Sequence, residues 1–111
     1  MSELVNIQEF SRVDLRVGRV LDVRDHPNAT KLYVMDVDLG PELGKRQIIA
    51  GLKPYMPAED LKDRLVIVVA NLEPATLRGE TSQGMLLAAQ EGDRVVCLTV
   101  ASPLAPGSKV L

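Results

Sequence analysis

The sequence predicts an all-β domain: a five-stranded barrel with one short helix between its third and fourth strands. Three observations carry this. Apolar and polar residues alternate along Val13–Arg24, the period of a strand with one buried face. Short apolar-rich runs recur along the chain, separated by clusters of Gly, Pro, Asn and Asp. Only one stretch in the interior, Pro54–Arg64, reads as helical, and it falls after the third run. At 111 residues the chain is expected to be a single domain, 1–111.

Taken in order, Asn6–Arg12 is expected to make a helical turn closing one end of the barrel, with Ile7 and Phe10 on one face. In the first strand Val13, Leu15, Val17, Leu21 and Val23 occupy odd positions. Asp14, Arg16, Asp22 and Arg24 stand at even ones. Arg19 and Val20 break the alternation directly after Gly18, which predicts a bulge or bend at that glycine. A long strand bent at its middle can serve both halves of a barrel. Asp25–Asn28 is a turn by composition. Leu32–Val37 is the second strand, Gly40–Gly44 a hairpin turn, and Gln47–Gly51 the third strand. In the helix Pro57 suits the first turn, Glu59 and Asp60 favour its N-terminal end, and Arg64 lies near its exit. Leu65–Ala70, apolar throughout and mostly β-branched, predicts a central strand buried on both faces. Gly84–Ala89 and Arg94–Val100 pair across Gln90–Asp93. Five strands with a helix between the third and fourth describe an OB-fold; an SH3-like barrel is the alternative. The C-terminal extension, residues 101–111, carries Leu104, Val110 and Leu111. It is expected to cap the barrel or to bury itself against a second copy of the chain.

The totals exclude several classes. Hydrophobic residues make up 46% and charged residues 25%, the balance of a soluble globular chain. No apolar run approaches the ~20 residues of a membrane span. The N-terminus has no basic start followed by an apolar core, so a cytoplasmic location is expected. A single cysteine, Cys97, allows no internal disulfide or cysteine-rich zinc site, and its apolar strand predicts core packing. Gly40–Lys45 has three residues between its glycines and Arg46 after its lysine, so it is no phosphate loop. His26 is the only histidine, without a triad pattern around it, and reads as a turn residue. Asp36 and Asp38 read as a solvated strand face. No enzyme chemistry, cofactor or metal is expected.

What the chain does carry is a loop of hydrogen-bond donors. Asn71–Ala89 leaves the most apolar run and re-enters one at Met85. Between them stand Thr76, Arg78, Thr81, Ser82 and Gln83, amides, hydroxyls and a guanidinium suited to an anionic backbone or a base edge. The net charge of −2 argues against a strongly basic stripe. Its distribution is uneven: Phe10–Tyr55 holds eight Lys or Arg against six acids, and Met56 onward five against seven. Arg16, Arg19 and Arg24 lie close together, as do Lys45 and Arg46. With only Phe10, Tyr33 and Tyr55 as aromatics, stacking of single-stranded bases is limited. Backbone contact and shape remain, the mode used on folded RNA.

Four segments in this order, VDLRVGRV (Val13–Val20), HPNATKL (His26–Leu32), RQIIAGL (Arg46–Leu52) and Asn71–Ala89, resemble the tRNA-binding domain family. That family includes the C-terminal domain of bacterial methionyl-tRNA synthetase and free-standing structure-specific tRNA-binding proteins. The resemblance runs from Phe10 to the C-terminus. It implies a non-catalytic module that recognises the folded shape of tRNA with little sequence preference, alone or assisting an aminoacyl-tRNA synthetase. It also implies a homodimer, with the tail in dimer contact. Ser82, Gly84 and Met85 keep the family's S-x-G-M pattern, making Ser82 and Met85 candidates for RNA contact. Asn71 and Gln83 join them, with positive charge from Lys31, Lys45, Arg46 and Arg78. Arg16 is expected to be structural, pairing with Asp14 or Asp36. The sequence departs from many relatives near Thr30 and Leu77. One branch of the family is associated with protein export, so a chaperone-like peptide-binding dimer is the alternative function.

Overall fold

Strand β1 (Leu15–Asp25) organises the molecule by taking two partners in succession. In the computed structural model, which describes residues 3–111, its first half, Leu15–Arg19, pairs antiparallel with β4 (Leu65–Val69). Its second half, Arg19–Asp25, pairs antiparallel with β2 (Tyr33–Asp38). β3 (Lys45–Ala50) continues from β2, and the short β7 (Met85–Leu86) pairs with β4, giving the order β3-β2-β1-β4-β7. Two hairpins complete the strands: β5 (Ala75–Leu77) with β6 (Glu80–Ser82), and β8 (Ala88–Glu91) with β9 (Arg94–Cys97). The expected strand Gly84–Ala89 is thus interrupted at Leu87. There its N–H turns to Ile67 O (2.9 Å) while its carbonyl accepts from Leu98 N (3.0 Å).

The switch of partners in β1 needs an extra residue. The register shifts between Val20 and Asp22, leaving Leu21 as the bulge. This is three residues beyond the predicted site, because Gly18 answers a different demand. A Cβ at Gly18 would stand 2.7 Å from Val37 Cγ1 and 2.9 Å from Leu39 Cδ2, both core side chains. Gly18 itself lies in regular register opposite Val66.

The core gathers Val20, Met35, Val37, Leu39, Ile48, Leu61, Val66 and Val68, all without solvent exposure. Residues 66–69 are buried throughout, as expected of a strand covered on both faces. Leu61 enters this core from α3 (Ala58–Leu61), the helix expected between the third and fourth strands. Cys97 is buried in the same core, and burial pushes its thiol up from the usual value.

The turn after β2 differs from expectation. The turn Gly40–Gly44 contains one helical turn, α2 (Gly40–Leu43), begun by the Asp38 carboxylate accepting from Gly40 N at 2.8 Å. The tail docks on its own chain: Val17 N donates to Ser108 O (2.9 Å), Gly107 N to Val17 O (2.7 Å) and Val110 N to Leu15 O (2.9 Å). It thereby pairs the side of β1 that faces away from β4, where β2 no longer reaches. Arg16 secures the arrangement, donating to Asp14 at 2.6 Å and to Gly107 O at 3.1 Å.

The N-terminal helix α1 (Ile7–Ser11) forms where expected, fixed by a capping box between Asn6 and Glu9. It does not close the barrel. None of its residues is buried, and Ile7 stays 71% exposed. Phe10, Val13, Leu72, Leu104 and Leu111 are exposed as well. The apolar face predicted for this turn exists, but among the described residues nothing covers it. Among the described residues no helix is long and apolar enough to cross a membrane.

Candidate nucleic-acid interface

The β5–β6 hairpin is held along β3, and the two ends of the attachment use different chemistry. At its base the barrel is closed by side chains. The Ser82 hydroxyl accepts from Ile49 N (3.0 Å) and donates to Gly84 O (2.9 Å). Gln83 accepts from Gln47 N through its side chain (3.1 Å) and donates its own N–H to Gln47 O (2.7 Å). Gln47 Nε2 reaches Thr81 O at 2.9 Å. Ser82 therefore stands in for a strand carbonyl, satisfying a buried N–H of β3. Gly84 follows at φ +139°, where a Cβ would sit 3.0 Å from Val69 O. The Ser-x-Gly pattern is a closure device for the barrel.

Replacing Ser82 with alanine should leave Ile49 N without its acceptor, at a cost of about 1–3 kcal/mol. Thermal unfolding should show a lower midpoint; an unchanged one would mean that the hydroxyl closes nothing.

At its tip the hairpin is gripped by the turn after β1. Arg78 and Gly79 both have positive φ, +54° and +92°, as a tight two-residue hairpin turn requires. His26 Nε2 lies 2.8 Å from Leu77 O and must donate, since a carbonyl only accepts. Nδ1 accepts from Asn28 N at 2.9 Å, and Asn28 Nδ2 donates to Arg78 O at 3.2 Å. His26 is thus a buried clasp, with both nitrogens committed. The sequence places it in a turn but does not reveal the clasp.

The predicted site residues fall into three places. Lys31 and Arg78 come together, both exposed, on an open cleft of about 870 Å³ beside the hairpin tip. Lys45, Arg46, Ser82, Gln83 and Met85 belong to the other end of the hairpin. Lys45 and Gln83 are exposed, and Met85 is 44% exposed. Arg46 is half-buried, donating to Ala70 O at 2.9 Å and more weakly to Gln83 O at 3.4 Å. Ser82 is 5% exposed, its hydroxyl spent on the closure. Asn71 lies apart. It accepts from Asp14 N (2.8 Å) and donates to Arg12 O (2.6 Å), so it pins the segment that follows α1.

Two of the three clustered arginines are not available to a ligand. Arg24 is shared between Asp36 (3.0 Å) and Asp22 (3.1 Å), and Arg16 pairs with Asp14, as expected of a structural residue. Sequence reasoning overlooked one cation. Lys53, in the loop after β3, lines the same cleft as Lys31 and Arg78, with Nζ 3.2 Å from the Asp25 carboxylate. Its loop is fixed by Met56 N donating to Leu52 O (2.8 Å) and the Tyr33 hydroxyl donating to Met56 O (2.8 Å). Burial raises the Tyr33 phenol above its usual value, keeping it a donor. The available signal was a lysine between Gly51 and Pro54 at a strand exit.

The arrangement offers cations and donors to an anion and contains no nucleophile held by a base. A family model described as "Putative tRNA binding domain" matches residues 15–109. A methionine–tRNA ligase of Pyrococcus furiosus is 52% identical over 108 residues, which are 97% of this chain but 15% of that protein. The structure of a MetRS related protein from Pyrococcus horikoshii superimposes with a TM-score of 0.91 at 32% identity, covering 99% of this chain and 100% of that one. Chaperone CsaA of Bacillus anthracis superimposes with a TM-score of 0.87 at 28% identity, covering 98% and 100%. With barrel, closure motif and matched residues in agreement, the chain belongs to the tRNA binding domain family.

Proposed function

We propose that the chain is a non-catalytic module that binds tRNA by its folded shape, with little regard for sequence. It works in the cytoplasm as a homodimer, free-standing or assisting an aminoacyl-tRNA synthetase. The observation that carries this is the placement of cations that have no carboxylate partner among the described residues, Lys31 and Arg78 at one end of β3 and Lys45 and Arg46 at the other. β3 has six residues, about 20 Å, so the cations border an edge that can follow a sugar–phosphate backbone. Met85 and Gln83 touch RNA at the same edge. Asn71 and Ser82 serve by holding the loops in place.

The homodimer reading rests on the uncovered face of α1. Ile7, Phe10, Val13 and Leu72, with Leu104 and Leu111 of the tail, form the contact with a second copy, burying apolar surface that one chain leaves in water.

Four phosphate contacts predict a slope of about −3 for log affinity against log salt, at roughly −0.7 to −0.9 per phosphate. The test is tRNA binding at several ionic strengths, with molar mass measured alongside. A steep slope and twice the 12.1 kDa chain mass are expected. A flat salt response would remove the electrostatic reading. The likeness to CsaA favours a second reading, a peptide-binding dimer using the same apolar face. Competition of unfolded peptide with tRNA separates the two: a chain that prefers peptide is a chaperone.

A further inference from the structure

We infer that the cleft beside the hairpin tip is a phosphodiester-binding subsite in which Lys53 is a direct contact, held in reserve by Asp25 until RNA enters. This rests on the tRNA-binding reading and extends it to one residue and one mechanism. Three cations reach the cleft from three separate segments. Lys31 comes from the turn after β1, Lys53 from the loop after β3, and Arg78 from the β5–β6 tip. For Lys31 and Arg78 the charged end makes no ion pair among the described residues. Arg78 is presented by a two-residue turn, with His26 holding the Leu77 carbonyl before it and Asn28 the carbonyl of Arg78 itself. Lys31 has no carboxylate within ion-pair distance among the described residues.

Lys53 differs, because its ammonium faces Asp25 at 3.2 Å. The Asp25 side chain is 70% exposed, so this is a surface pair of the kind worth ~0–1 kcal/mol. A phosphate between Lys31 and Arg78 would attract the ammonium at least as strongly, and would repel Asp25. The pair is therefore weak enough to exchange. While it lasts it lowers the positive potential of the empty cleft. Asp25 acts as an internal competitor for the phosphate, and Lys53 as the group that the phosphate recruits.

The experiment uses the full chain and unmodified folded tRNA, with affinity measured across a salt series. Lys53→Ala should weaken binding several-fold at low salt and make the slope shallower by about 0.7–0.9, the loss of one phosphate contact. Asp25→Asn should tighten binding several-fold at low salt. Lys62→Ala, an exposed cation at the end of α3, should change neither affinity nor slope. Far-ultraviolet circular dichroism and the unfolding midpoint check that each variant is folded. If wild-type chain binds tRNA with a steep slope while Lys53→Ala matches it in both affinity and slope, the subsite assignment is wrong and the function stands. If Lys53→Ala behaves as expected but Asp25→Asn weakens binding, Asp25 is a support rather than a competitor, and the reserve mechanism is overturned. If wild type shows no salt-dependent binding, the functional reading falls and takes the subsite with it.

Discussion

Gly40→Ala should cost about 3–5 kcal/mol of stability, the largest effect expected of any single methyl group added to this chain. Two penalties coincide there. Gly40 has φ +88°, a conformation that strains any L side chain by about 1–3 kcal/mol. The added Cβ would also clash with Pro106 O and stand 3.0 Å from Gly107 Cα. Both are backbone atoms, which cannot rotate aside. Either α2 shifts or the tail lifts, and lifting the tail breaks its hydrogen bonds to Val17 and Leu15. Gly44 is the built-in control. Its φ is +72°, but a Cβ there meets nothing within 4 Å. Gly44→Ala should therefore lose only the conformational part. At roughly 4–8 °C per kcal/mol for a domain near this size, thermal unfolding resolves the two variants easily. Equal losses would show that the tail is not seated over Gly40.

That close approach also marks the limit of what sequence alone can teach about the fold. The first strand, the buried run at 65–70 and the helix between third and fourth strands are written locally, as alternation, β-branching and proline placement. A barrel follows from them because every apolar face needs a partner. The bulge is different. Gly18 attracted it as the only glycine in the strand, yet Gly18 is required by Val37 and Leu39 across the core. Leu21 bulges because β1 changes partners there, a fact about topology and not about any residue near it. The tail is a similar case. Its leucines advertise burial, but its docking runs through backbone groups that all sequences share. α1 shows the converse: its cap and apolar face are legible, and among the described residues nothing covers that face.

The site was legible in charge and less so in role. Lys31 and Arg78 stand far apart in sequence and line one cleft. Ser82 and Asn71 look like ligand-facing polar residues because a hydroxyl and an amide can serve either purpose. Burial decides for Ser82, and two occupied hydrogen-bond positions decide for Asn71 that their present work is internal. Lys53 escaped notice because a lone lysine carries no pattern. It matters only once the loop after β3 is folded against the turn after β1.

Arg78→Glu should weaken tRNA binding about 30-fold at low salt while leaving the fold intact. The stability half follows from what the side chain does not do. Among the described residues it makes no hydrogen bond or ion pair; only its carbonyl is used, by Asn28. Its φ of +54° burdens arginine and glutamate alike, so the exchange adds little backbone strain. The binding half follows from charge. A phosphate about 4 Å from a cation in water gains roughly 1 kcal/mol, and reversal turns this into an equal repulsion. The swing of about 2 kcal/mol is near 30-fold in affinity. Because the contact is exposed, salt screens attraction and repulsion together, so the gap between variant and wild type should narrow as ionic strength rises. A structural role for Arg78 predicts the opposite: a lowered unfolding midpoint and a binding defect that salt does not touch. Binding equal to wild type at low salt would remove the hairpin tip from the interface and leave the Lys45–Arg46 end of β3 to carry it.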